Sequence, residues 1–289
     1  MRMFKCIVLL LAVFIMAQGG AASAAGAAAP ELDARKTVDQ AYRQFLELES
    51  YHMKVDILAE LEAKGKKVKS YTTSEGDIRL KPLLGKNMLK ATLYIDEQRI
   101  EQQIEQYFQE EGSQLVVYSN IDHQWLKEVM PYLQPANEYQ GYLKAIKDVT
   151  FLRENGSSLI FAVTVDAAYA AGNLEHYIGS AGIKDQKVRQ SLEALREAMT
   201  NAGDFNYTLT IDKQSAAIIN VHMDFTELMA RLSSTLLESP ATPEEQKQLI
   251  REVFSNMRLV VDADFSQLNG IGNIVIPAEA KQAEEPAVK

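Results

Sequence analysis

The stretch from Ser50 to Lys127 most constrains the fold, because it shows strand alternation and almost no helical period. Between Tyr51 and Ile57, apolar and polar residues alternate, which gives one apolar face and one solvated face. Short polar turns, the first at residues 64–67, separate this run from the strands that follow. Many strands joined without crossover helices indicate a large antiparallel sheet. The apolar face of such a sheet needs a cover.

One segment of this stretch fits two structures. Residues 99–109 place Ile100, Ile104 and Phe108 at spacings that suit a helix as well as a strand. We favour the strand, because residues 110–113 have the composition of a hairpin turn into the next strand.

Amphipathic helices precede and follow the strand-rich stretch. The first is predicted over residues 32–48, with Asp33 as its N-cap, and a short one over residues 136–149. Further helices are predicted at residues 167–178, 185–199, 226–237 and 243–254, alternating with hairpins at 150–165 and 205–225. Asn155-Gly156 predicts a type I′ turn in the first of these hairpins. These elements predict an α+β fold, in which a curved antiparallel β-sheet forms a half-barrel with amphipathic helices packed on its concave face.

The N-terminus has the features of a cleaved export signal over residues 1–24. A basic start is followed by an apolar run and an A-x-A cleavage site. The apolar run has about ten residues, against the roughly 20 that span a bilayer, so an uncleaved anchor is the less favoured interpretation. We expect a flexible mature N-terminus at residues 25–31, a single domain at 32–280 and a disordered tail at 281–289. The predicted location is the periplasm or the medium.

Charge and cysteine content exclude several classes of protein. The formal net charge is −9, which argues against binding to nucleic acid or to anionic lipid surfaces. Cys6 is the only cysteine, and it lies before the apolar run rather than at the cleavage point of a lipoprotein. We therefore expect no nucleic-acid partner and no stable membrane anchor after signal cleavage.

The titratable residues show no pattern that indicates catalysis. His52, His123, His176 and His222 are spread along the chain, and none has metal-ligand spacing to another ligand residue. We expect His52, His123 and His222 on the polar faces of predicted strands. Asp262 and Asp264 share one face of a predicted strand, as expected for a solvated sheet face. We assign no catalytic residue, metal ligand or cofactor, and we predict that the protein is not an enzyme.

Two local segments carry a resemblance to a known group of proteins. They are the junction of helix, Ser-Tyr and strand at residues 48–55, and the closing Ile-Pro-x-Glu-Ala at residues 276–280. With the order of elements, they resemble uncharacterised exported and lipid-anchored proteins of Firmicutes-type bacteria that share the LolA/LppX-like half-barrel. The resemblance implies an incomplete barrel with helices in its concave side. In the better-known relatives that space holds acyl chains or lipoproteins for transfer across the envelope.

Two functions remain as hypotheses. The first is an exported, non-enzymatic binding protein that holds a lipid or another apolar or amphipathic ligand in the half-barrel. The alternative is a protein-interaction module of the cell envelope, with a filled core and no ligand cavity. Apolar residues of the later helices and the single tryptophan are predicted to line the ligand space, or else to fill the core: Leu192, Leu195, Met199, Leu228, Met229, Leu232, Leu236 and Trp125.

Overall fold

The computed structural model describes most of the chain. The described residues are 33–63, 65–132, 143–172, 186–239, 242, 244–254 and 256–284. The predicted export signal at 1–24 and the flexible segment at 25–31 lie outside them, as do residues 136–142 and 173–178 of two predicted helices.

Eleven antiparallel strands form one open sheet, which confirms the predicted α+β class. In chain order they are β1 (Ser50–Ala63), β2 (Lys66–Leu80), β3 (Leu83–Ile95), β4 (Gln98–Glu111), β5 (Gln114–Ile121), β6 (Gln124–Pro131), β7 (Ile146–Asn155), β8 (Ser158–Val165), β9 (Phe205–Asp212), β10 (Ile218–Asp224) and β11 (Arg258–Ser266). Their order in the sheet is β6-β5-β4-β3-β2-β1-β11-β10-β9-β8-β7. The two halves of the chain therefore meet where β11 pairs with β1, and β6 and β7 form the edges.

Residues 143–145 and 167–172 are helical, and five further helices accompany the sheet in the described part of the chain. They are α1 (Ala34–Glu47), α2 (Gln186–Ala202), α3 (Thr226–Glu238), α4 (Glu244–Val253) and α5 (Ala278–Lys281). The helix predicted over 136–149 is wrong at its C-terminal end, because Ile146 begins β7 and pairs with Val165. The strand is fixed there by α1, since the Arg35 guanidinium donates to the Ile146 carbonyl at 2.9 Å.

Helix α1 fills one part of the sheet's inner face. Its predicted N-cap is confirmed: the Asp33 carboxylate accepts a hydrogen bond from the Lys36 backbone N–H at 3.0 Å. Phe45 packs edge-on against Phe265 of β11, with ring centroids 4.8 Å apart, and lies 5.4 Å from Tyr51 of β1. The apolar stripe read from the sequence is thus the face that closes the main core.

The sheet is strongly curved. Strand β6 lies five strand spacings from β1, which would be about 24 Å in a flat sheet. Tyr132, which directly follows β6, nevertheless lies close enough to Tyr51 to act on it electrostatically. Burial, and then this neighbouring hydroxyl, raise the pKa of Tyr51 well above its usual value. We call the face that carries α1 the inner face, and the opposite face the outer face.

A close approach between β3 and β4 supplies a test of this packing. A Cβ added at Gly85 would lie 2.0 Å from the ring of Phe108, its buried partner across the sheet. We expect Gly85→Ala to lower the free energy of unfolding by about 1–3 kcal/mol, because the ring must leave its site. Urea unfolding measures the change. Gly272→Ala is the control, since its added Cβ meets nothing within 4 Å, and equal stabilities of the two variants would contradict the expectation.

Candidate functional site

Charged and uncharged side chains separate onto the two faces of β1–β5. On the inner face, consecutive partners across these strands are Val55, Ser74, Leu89, Ile104 and Ile121. Across the described residues of these five strands, the charged inner-face side chains are Lys66, at the start of β2, and Glu110, near the end of β4. The cause is the two-residue period of a strand, which sends the interleaved lysines and carboxylates to the outer face.

Next to the apolar row lies a row of neutral polar side chains. Ser74 donates to the Asn87 side-chain oxygen at 3.0 Å, and Gln106 donates to the Ser119 hydroxyl at 3.0 Å. Asn87 and Gln106 are themselves direct partners across β3 and β4. Hydroxyl and amide groups therefore stand side by side in the middle of the inner face, paired with each other and without charge.

Much of this surface is only partly covered. Ile100 is 52% exposed, while Leu89, Leu93, Ile104 and Ile121 are intermediate in exposure. In contrast, the inner-face residues that contact α1 are nearly all buried. We call this region the neutral surface and define it by Ser74, Asn87, Leu89, Leu93, Ile100, Ile104, Gln106, Ser119 and Ile121. It combines half-exposed apolar contact area with neutral hydrogen-bonding groups, which suits an apolar or amphipathic molecule.

The helical residues predicted to line a ligand space lie mainly in a contact between α2 and α3. Leu232 is buried against Ala198 and Ala202. Met199, Leu228, Met229 and Leu236 pack around that cluster, and Met199 and Leu228 also reach the main core. Leu195 is half-buried on α2, and the side chain of Leu192 lies outside the described part of the structure. Their role as ligand lining stays a prediction.

Trp125 lies on the other face of the sheet from these helical residues. It belongs to β6, where it is the partner of Asn120, and its ring lies 6.0 Å from that of Tyr107. Asn120 is also the partner of Glu105 on β4, and Tyr107 lies two residues from Glu105 on the same face. Trp125, Asn120 and Tyr107 are therefore all on the outer face. Trp125 therefore does not share a site with the α2–α3 residues. Sequence spacing could not show this, because faces of distant elements are related only through the pairing of the strands between them.

Two histidine–carboxylate pairs stand on the outer face. His222 Nδ1 lies 2.6 Å from the Asp262 carboxylate, and His52 Nδ1 lies 2.8 Å from that of Asp77. Ser266 is the partner of His52 on the opposite side, so the three strands carry a Ser-His-Asp row. However, His52 Nε2 faces the Glu75 carboxylate at 3.4 Å. Both ring nitrogens thus point towards β2, away from Ser266, and the row lacks the geometry of a nucleophile and its base.

The carboxylates of this face are held by hydrogen bonds rather than gathered into a metal site. Burial raises the pKa of Asp56, but hydrogen bonds from Lys54 and Thr73 outweigh it and leave that pKa below its usual value. Asn220 donates to both Asp262 and Asp264, which share this face as predicted. Within the described ranges, no group of three ligand-type side chains is arranged to hold a metal ion.

The structure also shows the positions of His123 and of the first residues of the predicted tail. His123 was expected on the polar face of a strand, but it lies in the turn between β5 and β6 with a positive φ of 65°. The tail predicted at 281–289 includes residues held on the sheet, since the Glu284 carbonyl accepts from the Lys127 N–H at 3.4 Å. None of the helices in the described part is long and apolar enough to cross a membrane.

A family model covers nearly all of the described fold. The "Family of unknown function (DUF6612)" matches residues 33–285. This chain belongs to the DUF6612 family. The match begins at the cap of α1 and ends beyond α5, so the whole sheet lies within the region that defines DUF6612. None of the curated proteins compared with the chain matches it.

Proposed function

We propose that this DUF6612 protein is a non-enzymatic binding protein that holds an uncharged apolar or amphipathic ligand, such as a neutral lipid, on the neutral surface. One observation carries the proposal: the inner face of β2–β5 stays partly exposed, although apolar residues occupy much of it. Covering apolar area of this kind with a ligand is favourable, because it lowers the free energy by about 0.8 kcal/mol for each CH₂ group that is buried.

The composition of the surface selects the kind of ligand. An acyl chain would lie along Leu89, Ile100 and Ile104: Leu89 and Ile104 are direct partners, and Ile100 lies four residues from Ile104 on the same face of β4. Ester or hydroxyl groups would meet Asn87 and Gln106, whose amides can both donate and accept hydrogen bonds. A charged headgroup placed here would lose its hydration without meeting a counter-charge, which costs several kcal/mol. The ligand is therefore uncharged in the part that faces the sheet.

The likeness to the LolA/LppX-like half-barrel supports the same proposal. An open, curved antiparallel sheet with a helix on its inner face is the architecture that this likeness implies. Residues 1–24 would direct the protein out of the cytoplasm, and it would then act in the periplasm or the medium without a lipid anchor. In that setting a soluble carrier could accept an acyl chain from one membrane surface and release it at another.

The proposal is tested by what the purified protein contains and binds. We expect mass spectrometry of an organic extract, after mild purification, to show stoichiometric neutral lipid. A fluorescent monoacylglycerol should bind, whereas the fatty acid of the same chain length should bind at least about tenfold more weakly at neutral pH. A clean extract together with equal, negligible binding of both probes would overturn the proposal.

The second candidate function is a protein-interaction module of the cell envelope. It is favoured by the packing of the main core, where Val38, Ala41, Leu46 and Leu209 are fully buried and α1 fills the interior. In that case the extract contains no lipid, and crosslinking in the cell envelope recovers a protein partner.

A further inference from the structure

A second apolar cluster lies on the outer face, apart from the main core. Tyr107, Val116 and Tyr118 of β4 and β5 are buried there, with Trp125 and Val129 of β6 packed beside them. Burial, and then a 3.0 Å hydrogen bond to the Glu105 carboxylate, raise the pKa of Tyr107 to about 12. We call these five residues the outer patch. Three aromatic side chains next to a sheet edge resemble the core of a protein interface more than a solvated sheet face.

The chain's own C-terminal segment covers the outer patch. Ile276 and Ala280 are buried in the cluster, and Ile274 packs against it. Residues 267–277 have no regular structure, and α5 contacts β5 and β6. We call residues 274–284 the strap. Removing its contacts would expose the outer patch without changing a single strand pair.

Residues 269–271, which lead into the strap, are fastened by hydrogen bonds to the beginning of β1. The Asn269 N–H donates to the Ser50 carbonyl at 2.7 Å, and the Ile271 N–H donates to the Ser50 hydroxyl at 3.2 Å. The Asn269 side chain accepts from the Glu49 N–H at 2.7 Å. Beyond Ile271, the backbone hydrogen bonds from the described part of the strap to the sheet reduce to one, at Lys127. The distal part of the strap is thus held mainly by its apolar side chains.

The hydrogen bond at Lys127 lies on the free edge of β6, where a further strand could pair with the sheet. Strand β6 pairs only with β5, and Ile121 opposes Gln124 across a two-residue turn. The ladder alternates from that pair, so the backbone groups of Trp125, Lys127 and Val129 point to the free edge while their side chains join the outer face. An added strand would therefore form backbone hydrogen bonds with Trp125, Lys127 and Val129, and it would lie beside the outer patch to which two of their side chains belong. The strap already makes the bond to the Lys127 N–H, at 3.4 Å.

The other edge strand, β7, is too irregular to accept a further strand. The pairing of β7 with β8 shifts register twice, between Ile146 and Asp148 and between Phe151 and Arg153. Such irregularities turn an edge away from added strands. The pairing of β5 with β6 runs without a shift over its whole length. Only one of the two edges is therefore regular enough to accept a strand.

Charge is also complementary at the outer patch. Lys86 lies over the Tyr107 ring, with its Nζ 6.0 Å from the centroid, and Lys127 shares the face. The strap carries two carboxylates, Glu279 and Glu284, and one lysine, Lys281, next to its apolar residues. The surface thus matches an extended segment with apolar side chains two positions apart and an acidic flank.

We propose that the outer patch and the free edge of β6 form a peptide-acceptor site, which the strap occupies in cis and which binds an extended segment of a second polypeptide when the strap leaves. The partner segment has the chemistry of the strap: alternate apolar side chains, an acidic flank and a backbone that pairs with Trp125, Lys127 and Val129. This site is separate from the neutral surface, and it does not depend on a bound lipid.

The test uses the full chain and a labelled peptide of residues 271–284. In the variant Ile276→Asp the strap is weakened, because a charge replaces a side chain that is 6% exposed. We expect this variant to bind the peptide at least about tenfold more tightly than the unaltered protein, whose own strap competes. The emission of Trp125, the only tryptophan, should shift to the red in the variant and return when the peptide is added.

Val275→Asp is the matched control, since it adds the same charge at a neighbouring side chain that is 70% exposed. We expect it to behave like the unaltered protein in both measurements. Hydrogen exchange of the unaltered chain gives a readout that needs no variant: strap amides and the Lys127 amide should exchange together, faster than those of β1 and β11. Strap exchange at the rate of the central strands, or a peptide that binds both aspartate variants equally, would overturn the proposal. Dimerisation of Ile276→Asp at high concentration, reversed by the peptide, would instead support it with a second copy as the donor.

Discussion

Replacing Phe45 with alanine is expected to lower the free energy of unfolding by about 3–5 kcal/mol. Phe45 is 2% exposed, and its ring contacts Tyr51 of β1 and Phe265 of β11, the two strands that join the halves of the sheet. The cavity would open where α1, β1 and β11 meet, and close packing there leaves few side chains free to fill it. Urea unfolding followed by circular dichroism measures the loss.

Phe151→Ala is the control for this prediction. Phe151 is 39% exposed on the edge strand β7 and makes one ring contact, with Phe161 at 5.6 Å. We expect its loss to cost well under half as much, because much of the ring already faces water. Equal costs for the two variants would show that α1 does not anchor the sheet as its packing implies.

Replacing Ile104 with glutamate is expected to weaken binding of a neutral acylglycerol by about a hundredfold. Ile104 stands in the centre of the neutral surface, between Leu89 of β3 and Ile121 of β5. A carboxylate there must lose water when a ligand covers it. The one cationic side chain on the inner face of β1–β5 in the described residues is Lys66. It lies eight residues along β2 from Ser74, the residue in register with Leu89 and Ile104, which is too far to compensate that loss. Fluorescence titration with the monoacylglycerol probe gives the affinity.

Gln103→Glu is the matched control, because it adds the same charge on the same strand, one residue away and on the outer face. Its affinity for the probe should equal that of the unaltered protein. If both variants bind as the unaltered protein does, the ligand does not lie on the neutral surface. A thermal melt of each variant separates loss of binding from loss of fold.

Local sequence pattern predicted individual strands and helices well, because alternation and helical periodicity are properties of consecutive residues. The ambiguous run at 99–109 is part of strand β4, as its neighbouring turn indicated. Local sequence pattern predicted the types of the turns less well. The predicted type I′ turn at Asn155-Gly156 has Gly156 and Ser157 at its centre, with a positive φ only at the glycine. Asp122 and His123 instead adopt the two positive φ angles of a type I′ turn.

Residue periodicity was sufficient to predict a large antiparallel sheet with amphipathic helices, and to separate the polar from the apolar face of each long strand. The pairing of the strands, which periodicity does not contain, determines which strands are neighbours and therefore which side chains share a surface. The pairing of β11 with β1 places the helices over one part of the inner face and leaves the uncharged row from Ser74 to Gln106 partly open. The path of the chain after Ser266 brings Ile276 to the outer patch near Trp125. Both outcomes depend on contacts between residues far apart in sequence, and residue spacing carries no information about those.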